Sequence, residues 1–491
     1  MSLGPILKDF LVYGIGDFLV KAATFLTLPI YTRLLTPAEY GIWSYILTAL
    51  GLFSGILILG GDSAFARYYF EAKTDEERQS VTSTWLGFLF AWSLLVVAVM
   101  LPLTPLLSRW SFESASHASL FALALLSAPL SLLNSLCGQA LRNTFKPRLF
   151  IALNLASTLL TLGLSLWGLL GMKLGLAGLL GGALLAQAII APIRLWTIRA
   201  LLRPRFSGRL LKDLLAYGLP LVPVSLAYWI FVSSDRVVLG KLSSLEQVGL
   251  YTVASNLAGA LSVLQAALAM AWSPHALRLF ERSPEEASAM YGRMLNYVLL
   301  GFGIVAVGLS AFAHELVVMM ATPAFLAASL AIAPLALGIV AQATTQVTAL
   351  GISLRKKTGY LALYAWLAAL LNLGLNLLLI PRWGMVAAAW TTAAAYVLLT
   401  LAYFATSQRL QPIVWDRYKV GMGSMLILGF TALAPWLPGG SAGAILLKLL
   451  YCFSFGVLLC LLRVLDRRDW GAVATWVGER RGRQAMEKGI S

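Results

Sequence analysis

The chain has 491 residues, 59% of them hydrophobic and only 12% charged, an apolar excess that no soluble core of this length needs. That composition excludes a soluble globular or disordered class and predicts an all-α polytopic membrane protein. A net charge of +16 would suggest nucleic acid in a soluble chain, but here the basic residues gather in alternate loops, so a nucleic-acid partner is set aside.

Spans of roughly 20 apolar residues are expected near residues 10–30, 41–61, 81–103, 118–140, 149–170, 175–196 and 214–240. Seven more are expected near 249–272, 294–320, 326–352, 359–380, 384–405, 419–437 and 443–465, about fourteen in all. The first span carries Asp17 and Lys21, four residues apart and so on one helical face. An ionisable side chain at a bilayer centre costs roughly 2.5–3.5 kcal/mol on the insertion scale, so such residues point to a pathway or a site, or else neutralise one another. Span two ends in GGDSAFARYYFE, with Asp62 and Arg67 at its polar end. Span seven opens with LPLVPVS and carries Asp235 and Arg236 near its far end.

Lys and Arg cluster at Arg67–Arg78, Arg142–Arg148, Arg194–Lys212, Arg278–Arg293, Arg355–Lys357, Arg409–Lys419 and Arg467–Lys488. The intervening loops hold few. The positive-inside rule puts these clusters and both termini on the cytoplasmic side. A charged first span without a small-residue cleavage site argues against a cleavable signal peptide. Cys137, Cys452 and Cys460 fall inside spans at no metal-binding spacing and read as packing residues. Gly51/Gly55 and Gly171/Gly175 read as small-xxx-small packing pairs.

Amides form a second polar set within the spans. Asn154, Asn256, Gln342, Gln346, Asn372 and Asn376 are candidate cavity residues. Gln342/Gln346 and Asn372/Asn376 each share a helical face. Interhelical hydrogen bonding explains many such amides, and their number suggests a hydrated cavity.

The chain also repeats itself. LVYG from Leu11 recurs as LAYG from Leu215, LTPAEYGIW from Leu35 as LSSLEQVGLY from Leu242, and TLGLSL from Thr161 as NLGLNL from Asn372. The offset is about 205 to 211 residues, six spans, which preserves orientation and relates the halves by a pseudo-twofold along the membrane normal. The expected organisation is an N-lobe over 1–196, a cytoplasmic basic linker over 197–213 and a C-lobe over 214–405. An extra helix pair over 406–465 and a basic tail over 466–491 follow. Two lobes around a polar, partly cationic cavity suit an anionic amphiphile. A lipid-linked diphosphate sugar fits, its phosphates seeking Lys and Arg and its hydroxyls seeking amides.

Enzyme signatures are weak. GGSAG (Gly439 to Gly443) matches the nucleophile-elbow pattern outside its strand–turn–helix setting. His117, His275 and His314 are scattered, and no phosphate-cradling G-x-x-x-x-G-K-[ST] occurs. A non-enzymatic role is expected, with no cofactor or metal.

The opening YGIGDFLVKAATFLTLPIYTRLLTPAEYGIWSYI, followed by GGDSAFARYYFE, resembles the N-terminus of oligosaccharide flippases. These are the O-antigen and exopolysaccharide (Wzx-type) members of the MOP superfamily, polysaccharide transporter family. The resemblance implies translocation of an undecaprenyl-diphosphate-linked glycan across the bacterial inner membrane by alternating access, coupled to an ion gradient. It implies lumen-lining charges at Asp17, Lys21, Arg33, Asp62 and Arg67, to which the span-seven reading adds Asp235 and Arg236. Lys21, Arg33, Arg67 and Arg236 are then candidate diphosphate ligands, and Asp17, Asp62 and Asp235 candidate coupling residues or charge partners. Implied partners are the lipid-linked glycan, the bilayer and the glycan polymerase or chain-length machinery. The family often has twelve spans. The extra C-terminal pair resembles the lipid II flippase of the same superfamily, which with multidrug/cation antiporters forms the alternative.

Overall fold

The computed structural model describes residues 25–144, 146–203 and 206–465. Among the described residues the regular elements are helices, with no strand. In chain order they are α1 (Pro37–Ile58), α2 (Gly61–Glu71), α3 (Asp75–Met100), α4 (Thr104–Phe112), α5 (Ala118–Asn143), α6 (Pro147–Leu166) and α7 (Gly175–Thr197). Then come α8 (Gly208–Gly218), α9 (Val222–Leu242), α10 (Leu245–Ala258), α11 (Ala260–Arg282), α12 (Pro284–Ala311) and α13 (Ala313–Met320). The last are α14 (Ser329–Thr348), α15 (Leu350–Leu354), α16 (Gly359–Leu410), α17 (Arg417–Leu433) and α18 (Ala442–Leu461).

Local chemistry sets the helix starts. Thr36 and Glu39 form a capping box before α1, with Pro37 in its first turn, which satisfies two otherwise orphaned donors. Thr74 and Glu77 do the same before α3, whose first turn holds Asp75, Glu76 and Glu77, where carboxylates meet the positive end of the helix dipole.

Among the described residues, ten helical stretches are long and apolar enough to cross a bilayer by length and composition, or eleven if α10 and α11, bent by 41°, form one span. Geometry accounts for the distance from fourteen. The first expected span lies largely outside the described residues, and α17 has only 17 residues. The α16 stretch covers two expected spans in 52 residues. A straight helix of that length would measure about 78 Å, more than twice the hydrocarbon thickness of about 30 Å. It breaks at Gly384, with φ 54° and ψ −136°, a left-handed conformation that glycine adopts without a Cβ penalty. Gln247 secures the break by accepting a hydrogen bond from Met385 N at 3.0 Å.

The chain forms two compact units. The first comprises 1–256, 318–328 and 362–395, and the second 257–317, 329–361 and 396–491. In the first unit a core of Leu57, Phe65, Trp85, Leu133, Cys137 and Leu214 ties α1–α3 to α5 and α8. The basic connector after α7 thus contains a helix, α8, whose Leu210, Leu214 and Leu215 join that core. Two glycines bring α1 and α10 into contact. A Cβ at Gly41 would lie 1.7 Å from Leu245 O, and one at Gly249 would lie 2.0 Å from Pro37 O. The expected pair Gly51/Gly55 is not such a crossing: Gly55 has nothing within 4 Å of a Cβ built on it, and Gly51 meets only the Trp229 ring. Gly171 meets its own Trp167, and Gly175 serves a positive-φ turn. The close crossing of α6 and α7 falls instead on Gly168, Gly178 and Gly182.

In the second unit Trp272, Tyr291, Leu299, Phe302, Ile427 and Phe455 form the core. A lysine sits inside its apolar packing. Lys448 of α18 is 1% exposed and donates to both carboxylate oxygens of Glu315 on α13, at 2.6 and 2.8 Å. Gly439 lets the His314 ring lie against the loop before α18, since a Cβ there would be 2.6 Å from the ring.

Interhelical ties occur at similar spacing in the two halves of the sequence. In the first half Arg194 of α7 donates to Leu153 O of α6 at 3.5 Å. In the second, Tyr403 donates to Leu361 O at 3.0 Å between the two arms of α16. The paired residues stand 209 and 208 positions apart, inside the offset expected from sequence. Asn134 of α5 bonds to Gln187 of α7 at 2.6 Å, and Thr344 of α14 to Thr400 at 2.8 Å; these residues stand 210 and 213 positions apart, the second just beyond that offset.

Breaking a buried ion pair from one side strands a charge, whereas removing both partners does not. Lys448→Met is therefore expected to lower unfolding stability by about 3 kcal/mol, and Lys448→Met combined with Glu315→Gln to recover most of it. Thermal unfolding in detergent measures both, and equal destabilisation by the single and double variants would contradict the assignment.

A buried carboxylate cluster as candidate functional site

Asp235 of α9 is 1% exposed, and no basic nitrogen among the described residues lies within ion-pair distance of it. A buried carboxylate persists only when hydrogen bonds replace its lost hydration. Three donors supply them. Tyr251 of α10 donates to Oδ2, Thr392 of α16 donates to Oδ2 at 3.1 Å, and Asn376 of α16 donates to Oδ1 at 3.2 Å. A second layer holds those donors: Thr391 donates to Asn376 Oδ1, and Asn372 Nδ2 donates to Thr392 Oγ1 at 3.3 Å. With its amide turned, Asn372 instead donates to Asp235 Oδ1 at 3.3 Å. Asn372 and Asn376 are fully buried, and Thr391 and Thr392 nearly so.

The fold brings these residues together through the Gly384 break. Asn372 and Asn376 lie on the arm before it, one turn apart, and Thr391 and Thr392 on the arm after it. The returning chain sets the hydroxyls opposite the amides. The crossing of α1 with α10 then fixes Tyr251. Ser44 bonds to Thr252 at 2.7 Å, and Asn256 donates to Tyr40 Oη at 3.2 Å.

Arg236 follows Asp235 directly and points elsewhere. Its guanidinium lies 5.5 Å from the centre of the Tyr251 ring, donates to Ser255 Oγ at 3.1 Å and to Val232 O at 3.3 Å, and is half-buried. No carboxylate among the described residues pairs with it. Tyr251 therefore touches both charges, the anion through its hydroxyl and the cation through its ring.

Chemically the cluster offers one carboxylate and neutral oxygens from Tyr251, Thr391, Thr392, Asn372 and Asn376. Oxygen donors suit hard cations, and a single negative charge matches a monovalent one. The donor set thus fits Na+, or a proton on the carboxylate. Among the described residues no group of three or more His, Cys, Asp or Glu could hold a metal ion.

The other predicted residues fall elsewhere. Asp17 and Lys21 lie outside the described residues. Arg33 is exposed. Asp62 is exposed on α2 and accepts a hydrogen bond from Gln139. Arg67 pairs with Glu71 at 2.8 Å and lies over the Tyr217 ring at 4.8 Å. Asn154 accepts from Arg194, and Asn256 holds Tyr40. Gln342 and Gln346 are half-buried in the second unit, and their side-chain amides make no hydrogen bond among the described residues.

Arg194 was hidden in the sequence by its place at the head of the basic cluster Arg194–Lys212. It is 5% exposed and donates to Asn134 O at 2.9 Å and to Asn154 Oδ1 at 2.7 Å, so that one guanidinium braces α5, α6 and α7. Gly138 makes room for it, since a Cβ there would meet Nη1 at 3.0 Å.

With this geometry established, comparison with known proteins identifies the sequence. The family model described as "Polysaccharide biosynthesis protein" matches residues 6–280. The chain belongs to that family. No curated protein matches it. Among solved structures, the lipid II flippase MurJ in an inward closed conformation has a TM-score of 0.71 at 15% identity, covering 91% of this chain and 98% of its own. A multidrug resistance MATE family transporter of the MOP superfamily, inward-facing, has a TM-score of 0.66 at 16% identity, covering 81% and 97%. An outward-facing MATE structure has a TM-score of 0.56 at 17% identity, covering 82% and 94%. The fold is thus the one seen in the MurJ and MATE structures, and this member of the polysaccharide biosynthesis family is a multi-pass membrane protein.

Removing the Arg194 guanidinium leaves buried carbonyl acceptors without their donor, at about 1–3 kcal/mol. Arg194→Met is expected to lower unfolding stability by that amount and to leave any sodium-induced stabilisation unchanged, because it does not touch the Asp235 cluster. Thermal unfolding with and without sodium checks this, and loss of the sodium response would join the two clusters.

Proposed function

We propose that the protein flips an undecaprenyl-diphosphate-linked oligosaccharide from the cytoplasmic to the periplasmic leaflet of a bacterial inner membrane. The carrying observation is the conjunction of a polysaccharide-biosynthesis sequence with a transporter fold. Polysaccharide synthesis on a lipid carrier needs a step that moves the lipid-linked glycan between leaflets, and a fold like those of the MurJ flippase and MATE transporters supports assigning that step to this chain. Alternating access would occur between the lobes at 1–196 and 214–405, with 197–213 as their cytoplasmic connection and both termini cytoplasmic.

Arg236 supports the cargo reading. It is half-buried, carries no carboxylate partner among the described residues and has a planar fork suited to phosphate oxygens. Lys21, Arg33 and Arg67 are further proposed phosphate contacts, and Asp17 and Asp62 charge partners. The Asp235 cluster is the proposed coupling site, for Na+ or H+, since filling it neutralises the buried carboxylate. Asn154, Asn256, Gln342 and Gln346 are proposed to add polarity along the path. The glycan polymerase and chain-length machinery are proposed partners downstream.

A strain lacking the gene is expected to lose surface glycan and to accumulate undecaprenyl-diphosphate oligosaccharide. The wild-type chain should restore export, and Arg236→Ala should restore it at least about tenfold less well, a barrier change of about 1.4 kcal/mol. Lipid extraction with mass spectrometry measures the intermediate. Accumulation of lipid II with unchanged surface glycan would transfer the assignment to the lipid II reading, and accumulation of neither would end both.

A further inference from the structure

Tyr251 contacts both the buried carboxyl group and the half-buried guanidinium described above. Its hydroxyl donates to Asp235 Oδ2, its ring lies under the Arg236 guanidinium at 5.5 Å, and it is itself 2% exposed. The ring cannot move freely, because α10 is pinned to α1 by the Gly41/Gly249 crossing and by the Ser44–Thr252 bond at 2.7 Å. A change in what the hydroxyl meets is therefore felt on the ring face.

We propose that Tyr251 is a positioning residue through which a monovalent cation at the Asp235 cluster controls how strongly Arg236 is available to a diphosphate group. This rests on the coupling and cargo readings of the preceding section. With the carboxylate bare, the Tyr251 hydroxyl donates to it and leaves an electron-rich ring face to hold the guanidinium. A cation among Asp235, Asn376 and Thr392 requires the hydroxyl to turn its hydrogen away. The phenol oxygen then gives electron density to the cation. Both changes weaken the ring's hold on Arg236, and the negative charge that attracted the guanidinium is cancelled. Arg236, then held by Ser255 and Val232 alone, is freer to take a phosphate oxygen. Cation and diphosphate thus bind with positive linkage, and linkage is reciprocal.

The test uses the purified full-length chain in nanodiscs and undecaprenyl diphosphate as probe, with affinity measured without sodium and at saturating sodium, ionic strength held by N-methylglucamine. Sodium is expected to tighten diphosphate binding by at least about fivefold, the lower end of coupled sites. Diphosphate should tighten sodium binding by the same factor. In Tyr251→Phe, which keeps the ring and loses the hydroxyl, sodium should still raise the unfolding temperature while the linkage falls below about twofold. Thr392→Val loosens the same carboxylate without touching Arg236. It should weaken sodium binding yet keep the linkage at saturation, an outcome that separates positioning from general disruption of the cluster. Arg236→Lys keeps the charge and loses the planar stack, so it should also lose the linkage, which keeps the proposal testable if Tyr251→Phe does not fold. Wild-type linkage in Tyr251→Phe or in Arg236→Lys overturns the proposal alone. A wild-type protein that binds both probes without linkage overturns the coupling reading beneath it.

Discussion

A carboxylate with no cation beside it has to be solvated by the protein, and in the first unit α10 and both arms of α16 do so for Asp235 of α9. Its donors come from α10 and from both arms of α16. Each depends on a backbone device some distance away. The Gly384 break returns Thr391 and Thr392 alongside Asn372 and Asn376, and the glycine crossing of α1 and α10 carries Tyr251 to the carboxylate. In a hydrocarbon surrounding, an unsatisfied charge would cost several kcal/mol or more. The hydrogen bonds to this one side chain thus tie α9, α10 and both arms of α16 together.

The two halves use the repeat differently. Where the second half has Asn372 and Asn376, the first has Thr161 and Ser165 at the matching places of TLGLSL. Ser165 merely donates to Leu179 O at 2.9 Å. The first half places its buried charge at Arg194, which braces three helices through carbonyl and amide oxygens. The buried carboxylate thus lies in one half of the sequence and the buried guanidinium in the other. Outside the repeat, the Lys448–Glu315 pair ties α18 to α13 in the second unit. Appended helices need such a tie because lipid tails give them no hydrophobic reason to stay.

The legible parts of the sequence were those in which chemistry and period coincide. Apolar length fixed the class, and the i, i+4 spacing of Asn372 and Asn376 together with the ionisable Asp235 inside a span singled out three members of the cluster. Tyr251, Thr391 and Thr392 were not legible, because tyrosine and threonine are ordinary inside spans and acquire meaning only once the chain has turned at Gly384. Arg194 and Lys448 were hidden for another reason. A basic residue near the end of a span reads as a topology signal, and only three-dimensional packing shows that its side chain points inward. Glycine spacing misled in a similar way: Gly51 and Gly55 have the small-xxx-small pattern but cross no helix closely, while Gly41 and Gly249 lie far apart in sequence and do.

Transport itself is most directly tested in liposomes containing the purified chain and a fluorescent, short-chain polyprenyl-diphosphate oligosaccharide, with leaflet position read by a membrane-impermeant quencher. Glycan transfer should rise well above that of protein-free vesicles, respond to an imposed sodium or proton gradient, and lose that response in Asp235→Asn. Transfer no faster than in empty vesicles would contradict the transport account, and an unchanged gradient response in Asp235→Asn would remove the carboxylate cluster from it.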